Sequence, residues 1–149
     1  MEVKELGHVV LYVRDLERSR RFYGEVLGWK EIGRFGQHGV AFSSGRTHHE
    51  LLLLAVGPNA KPILSGSRVG LYHFGLKIGE SDEELKAAIA EIEAKGVPIV
   101  GTADHGVTHS LYILDPDGNE VELYIDVQPP IWREDPAAVM APVRPLRLA

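Results

Sequence analysis

The sequence predicts an α+β fold built from two βαβββ modules that form an open, cup-shaped mixed β-sheet with helices packed outside. Three observations lead there. A pattern of one strand, one helix and three short strands begins near Leu6 and begins again near Leu71. A histidine stands at the same point of each opening strand, His8 in GHVVLYV and His73 in YHFGLKI. The second module closes on Asp115-Pro116-Asp117-Gly118 between apolar runs. That is a hairpin signal, because Pro presets one turn dihedral and Gly supplies the positive one.

In chain order, Leu6–Val13 alternates as a strand, with Val9, Leu11 and Val13 on one face and His8, Val10 and Tyr12 on the other. Asp15 caps the helix that follows and Glu17 sits in its first turn, near the positive dipole end. Leu16, Ser19, Phe22, Tyr23, Val26 and Leu27 form its buried stripe, and Gly28 stops it. Three strands are expected over Trp29–Arg34, Gly39–Ser43 and His48–Val56, the last ending at Gly57-Pro58. Residues 57–70, rich in Gly, Pro and Ser, read as a connector. In the second module Leu71–Ile78 is the opening strand, with His73, Gly75 and Lys77 on one face. Ser81 and Glu84 make a capping box, Leu85, Ala88, Ile89 and Ile92 recur at helical spacing, and Gly96 with Pro98 ends the helix. Strands over Ile99–Thr102, Ser110–Leu114 and Glu120–Ile125 complete the unit. The expected domain is therefore residues 1–126, with modules at about 6–56 and 71–126.

Composition narrows the function. An apolar fraction of 44% and a charged fraction of 25% are those of an ordinary globular domain. A net charge of −5 without any basic run argues against a nucleic-acid partner. With no cysteine, a metal has to be held by His, Asp, Glu, Tyr or backbone. The opening MEVKELGHVVLYVRD lacks the apolar core of a signal peptide and no stretch reaches membrane-spanning length, so a cytoplasmic protein without a membrane partner is expected.

The repeat also orients the polar residues. The apolar faces of the opening strands pack under their helices, which leaves His8 and His73 on the opposite side. On the last strand Val121, Leu123 and Ile125 share one face, and Glu120, Glu122, Tyr124 and Asp126 the other. With the modules side by side, the polar faces form a cup lined by His8, His73 and Glu122. Two His and one carboxylate on one side of a metal leave open coordination positions, an arrangement suited to non-haem Fe(II) and oxygen.

The paired modules, the opening GHVVLYVRDLERSRRFYGEVLGW, the second YHFGLKI and the closing DPDGNEVELY resemble the vicinal oxygen chelate superfamily of glyoxalases, bleomycin-resistance proteins and dioxygenases. The resemblance covers about residues 6–126 and implies metal ligands at His8, His73 and Glu122. Within the superfamily, the chain is similar to type I extradiol catechol 2,3-dioxygenases in their single module-pair form. His49 in HHELLLL and His105 in DHGVTHSLY match that branch's active-site histidines, and Tyr112 matches its tyrosine ten positions before the glutamate ligand. The resemblance implies ring cleavage of a small aromatic diol with Fe(II) and O2, or with Mn, Ni or Zn at the same ligands. It implies a proton-handling role for the histidines and a substrate-holding role for Tyr112.

Two other readings stay open. A glyoxalase- or epimerase-like isomerase or lyase would use Glu50 as a fourth ligand. Aligning the Glu-Leu pairs of the two modules favours Glu50, whereas aligning Gly45 with Gly118 favours His49. A binding module that sequesters small molecules without catalysis is the other, and retention of all three metal positions counts against it. His38, His48 and His109 read as surface histidines, and Lys77 has no assigned role.

Residues 127–149 hold Pro129-Pro130, Pro136, Pro142 and Pro145, which exclude a long helix. Ile131, Trp132, Val139, Met140, Val143, Leu146 and Leu148 are too apolar for a free tail. The expectation is an extension packed on its own domain or on a partner subunit, in a homo-oligomer of two or more chains.

Overall fold

Alternation of apolar residues in VVLYV folds as β1 (Val9–Val13), with Leu11 and Val13 buried and Tyr12 exposed. The structure is a computed structural model that describes residues 1–127 and 131–148, so the expectation resting on Pro129-Pro130 lies outside the described residues. It divides into two compact units, Met1–Leu64 and Ser65–Ala149.

In the first unit Asp15 caps α1 (Leu16–Arg21), its side chain accepting from Arg18 N at 2.9 Å. The helix does not run on as a regular α-helix to Leu27. From Phe22 to Val26 it widens into a π-helical turn, in which Leu27 N donates to Phe22 O at 3.0 Å. The extra residue in that turn carries both Phe22 and Tyr23 inward, where their rings meet edge to face at 4.9 Å. Strands β2 (Glu31–Phe35), β3 (Gly39–Phe42) and β4 (Leu51–Ala55) complete a sheet of order β1-β4-β3-β2. The first and last strands of the module are parallel neighbours, and β4-β3-β2 are antiparallel.

The second unit repeats this arrangement. Strand β5 (His73–Gly79) and helix α2 (Asp82–Ala94) are followed by β6 (Ile99–Asp104), β7 (Thr108–Leu114) and β8 (Glu120–Asp126), in the order β5-β8-β7-β6. Again the first and last strands pair in parallel. The capping box forms as the sequence predicts, and Leu85 and Ile92 are the buried residues by which α2 holds the sheet. Gly79 is required by this cap, because a Cβ there would lie 2.5 Å from Glu84 Oε2. The fold class is thus two βαβββ modules, each with its own open four-stranded mixed sheet.

The hairpin between β7 and β8 is organised by one buried carboxylate. Asp115 Oδ1 accepts from Asp117 N at 2.9 Å and Asn119 N at 2.8 Å, and Oδ2 accepts from the Asn119 amide at 2.8 Å. Gly118 supplies the positive φ of 88°. Asp115→Ala removes a charged acceptor from two buried-side backbone donors at once, and a loss of about 2–3 kcal/mol in denaturant unfolding is expected. An Asp115→Ala protein as stable as the parent would show that the turn is held by Pro116 and Gly118 alone.

After β8 the chain forms α3 (Ile131–Glu134) and a 3-10 turn, Pro136–Met140. It then returns to the edge strand β6, where Asp104 and Arg144 exchange both backbone hydrogen bonds, at 2.9 and 2.8 Å. His109 is not a surface histidine. Its ring is largely covered, with Nδ1 2.6 Å from Asp82 Oδ1 and Nε2 3.7 Å from Asp104 Oδ1, because position 109 lies on the face of β7 turned toward α2. Among the described residues, no helix is long and apolar enough to cross a membrane.

Candidate metal centre

His8 immediately precedes β1, and Val9 N donates to Glu50 O at 2.9 Å, carrying the β1–β4 ladder one step beyond the strands. Arg46 fixes this corner. Its guanidinium donates to Gly7 O at 3.2 Å and contacts Glu5 and Glu50, each also at 3.2 Å. Glu50 is further engaged by Ser44, whose backbone N–H and hydroxyl both donate to it, at 2.5 and 2.7 Å. Burial raises the Glu50 pKa, but the Ser44 donors and Arg46 outweigh it and hold the carboxyl below its usual range.

These bonds bend the chain at Glu50, so the strand expected over His48–Val56 starts only at Leu51. His49 therefore escapes the strand's alternation. Its ring lies 4.4 Å from that of His8 and 4.4 Å from that of His48, and the Nδ1 atoms of His48 and His49 are 2.6 Å apart. Burial, followed by the charges of His48 and His8, lowers the His49 pKa and favours the neutral ring.

In the second unit the polar face of β5, β8 and β7 gathers His73, Glu120, Glu122, Tyr112 and His105. Tyr112 stands directly opposite Glu122 in the antiparallel ladder, so the ten-residue spacing seen in the sequence is the register of the Asp115 hairpin. The Tyr112 hydroxyl donates to Glu122 Oε1 at 3.1 Å, and His105 Nε2 is 2.7 Å from the same hydroxyl. An ionised carboxylate only accepts, so the phenol proton points to Glu122 and His105 Nε2–H donates to the phenol oxygen. Burial and then the Glu122 charge push the Tyr112 phenol up to about 12, which keeps that proton in place at neutral pH. Lys77, unassigned from sequence, is paired with Glu80 at 2.6 Å and Asp126 at 2.7 Å.

With Oε1 of Glu122 occupied by Tyr112, Oε2 faces His73 Nε2 at 3.4 Å. Two donors about 2.1 Å from one ion, at a right angle, lie about 3 Å apart, so this pair fits adjacent positions on a divalent metal. Gly75 keeps the space open. It pairs with Glu122 in the ladder, and a Cβ there would lie 3.3 Å from Glu122 Oε2. Two residues that sequence reasoning left without a role also touch His73: Tyr72, with ring centroids 4.5 Å apart, and Glu120. The signal for Glu120 was its place two residues from Glu122 on the same strand face. Among the described residues, neither unit by itself gathers three His, Asp or Glu side chains at metal-binding distance. His8 belongs to the first unit, and His73 and Glu122 to the second.

Register shows how the two modules correspond. Val9 pairs with Leu51 as Phe74 pairs with Val121, so one step on, Val10–Leu52 answers to Gly75–Glu122. The first-module counterpart of Glu122 is Leu52, which carries no donor. Glu50 corresponds instead to Glu120.

Comparison with known proteins agrees with this doubled topology. The family model described as Glyoxalase/Bleomycin resistance protein/Dioxygenase superfamily matches residues 5–123. The chain belongs to this superfamily. One glyoxalase/dioxygenase relative, the catechol-2,3-dioxygenase of Bacillus subtilis (strain 168), is 34% identical over 134 residues, which cover 90% of this chain and 46% of that protein. The chain thus spans about half of that enzyme's length. Among solved structures of the superfamily, a glyoxalase/dioxygenase from Nostoc punctiforme shares the fold with a TM-score of 0.72 at 21% identity, covering 84% of this chain and 92% of that one. A lactoylglutathione lyase from Agrobacterium tumefaciens gives a TM-score of 0.63 at 26% identity, covering 84% and 96%. Members of the superfamily similar to this chain therefore include both a catechol-2,3-dioxygenase and a lactoylglutathione lyase.

Proposed function

We propose that the protein is an extradiol dioxygenase that cleaves a catechol-type aromatic diol with Fe(II) and O2, and that His8, His73 and Glu122 hold the metal. The observation that carries this reading is the register match between Leu52 and Glu122. The first module offers His8 but no carboxylate at the matching place, and Glu50 is tied to Ser44 and Arg46. Three protein ligands leave positions for both diol oxygens and for O2. The similarity to a catechol-2,3-dioxygenase supports the same choice.

The bound metal would supply charge stabilisation of the diolate and a template that holds both reactants together. The chain's own residues do the rest. Tyr112 fixes the free oxygen of Glu122 and presents its phenol oxygen beside the site, while His105 Nε2 holds that phenol in place. His49 and His105 are the proton-handling candidates, one in each unit. Both atoms of O2 enter the product as the ring C–C bond beside the diol breaks, so O2 uptake equals diol consumed.

A lyase or isomerase reading, favoured by the likeness to lactoylglutathione lyase, requires Glu50 to leave Ser44 and Arg46 and bind the metal. Metal-free protein reconstituted without air with Fe(II), Mn(II), Ni(II) or Zn(II), and given either catechols or a thiohemiacetal, separates the two. Diol-dependent O2 uptake with Fe(II) or Mn(II), retained in Glu50→Ala, is the expected result. Thiohemiacetal turnover with Ni(II) or Zn(II), lost in Glu50→Ala and without catechol cleavage, would replace the dioxygenase reading with the isomerase one.

A further inference from the structure

We infer that Glu120 is a positioning residue for His73, accepting the proton of His73 Nδ1 so that Nε2 is presented to the metal. The inference rests on the metal-centre reading and names a residue which that reading does not use. His73 and Glu120 are direct partners in the parallel β5–β8 ladder, which places their side chains next to each other on one sheet face. Glu120 Oε1 lies 3.3 Å from Nδ1, and Glu122 Oε2 lies 3.4 Å from Nε2, on the other side of the ring. The imidazole is held between two carboxylates with two different tasks.

The Nδ1 atom itself is the strongest observation. It is buried from solvent and, among the described residues, has no hydrogen-bond partner, because the Glu120 contact is close in distance but not aligned. A neutral imidazole that ligates through Nε2 must carry its proton on Nδ1. That N–H is closed off from bulk solvent, and leaving it unsatisfied is costly. A small rotation of the His73 ring brings it onto Glu120 Oε1, which fixes the tautomer and raises the basicity of the ligating nitrogen. The plain alternative, a strand-end carboxylate with no partner, leaves the buried nitrogen unexplained.

The first module provides an internal contrast. Glu50 occupies the position against His8 that Glu120 occupies against His73, but its carboxylate is committed to Ser44 and Arg46. The same glutamate is thus used in two ways, as a turn brace in one module and as a histidine acceptor in the other.

The test uses the full chain, metal-free and loaded with Zn(II), which is diamagnetic. Glu120→Ala and Glu120→Thr remove the acceptor, Thr keeping strand propensity should Ala fold poorly, and Glu120→Gln keeps a carbonyl that still accepts. Zn(II) affinity is measured by competition with a chelating dye, and the His73 Nδ1–H by NMR of protein labelled with nitrogen-15 in histidine. Truncation is expected to weaken Zn(II) about 10–100-fold. It should also expose Nδ1–H to solvent exchange, with the melting temperature of the metal-free protein little changed. Glu120→Gln should recover most of the affinity and the protected N–H. Parent-like affinity and a parent-like N–H in both truncations, with binding abolished in Glu122→Ala, would overturn the role of Glu120 and leave the metal centre standing. Full binding in Glu122→Ala and in His73→Ala would remove the metal centre, and this inference with it.

Discussion

Glu122→Ala is expected to abolish stoichiometric binding of a divalent ion and, with it, diol-dependent O2 uptake. Glu122 is the proposed centre's one carboxylate ligand, and its loss also removes the acceptor to which the Tyr112 hydroxyl donates. Disturbing a residue that merely orients a ligand costs about 10–100-fold in affinity, and removing the ligand itself should exceed that range. The fold should survive, because Glu122 lines the polar face of β8 while Val121, Leu123 and Ile125 are buried on the other. Equilibrium dialysis with metal analysis, paired with thermal melting of the metal-free protein, reads both effects. A full equivalent of metal held by Glu122→Ala at His8 and His73 would refute the assignment.

The largest effect on stability is expected from Phe42→Ala. Phe42 is fully buried, with the rings of Tyr23 and Trp29 each 6.4 Å away and Gly24 leaving just enough room for its Cε1. Truncation empties the space between the π-helical turn and β3, at a cost of about 3–5 kcal/mol. For a chain of this length that lowers the melting temperature by roughly 10 °C or more. The control is Tyr12→Ala, since Tyr12 is 72% exposed and should change stability by no more than about 0.5 kcal/mol. Equal melting temperatures for Phe42→Ala and the parent would mean that the first unit does not depend on this aromatic cluster.

The architecture was legible where local chemistry and global fold agree. Alternation marked β1, β5 and β8, the Ser81–Glu84 box marked α2, and Asp115 to Gly118 marked the hairpin whose register brings Tyr112 to Glu122. The π-helical turn was hidden, because Phe22 and Tyr23 also satisfy an ordinary helical stripe. The start of β4 was hidden as well, since it depends on Ser44 and Arg46 capturing Glu50 across a turn. Without that capture, neither His49 nor Glu50 could be given a direction. The correspondence of Leu52 with Glu122 needed strand register, because the loops before β4 and β8 differ and each plausible alignment of the modules pairs different residues.

Placing each module's closing strand beside its opening strand also has a consequence for how the protein is made. His73 and Glu122 sit on β5 and β8, which meet only after the intervening helix and two strands have been laid down. Contacts of such long sequence separation carry a loop-closure cost and form late. A chain still emerging from the ribosome, with β5 and α2 folded but β8 absent, offers His73 without its carboxylate. If the proposed centre holds, an ion that needs both would find nothing to hold until the module is finished, and would then stabilise only the closed form. Under the proposed metal centre, a bound ion would report that β8 has joined β5, and its retention would distinguish a closed second module from an open one.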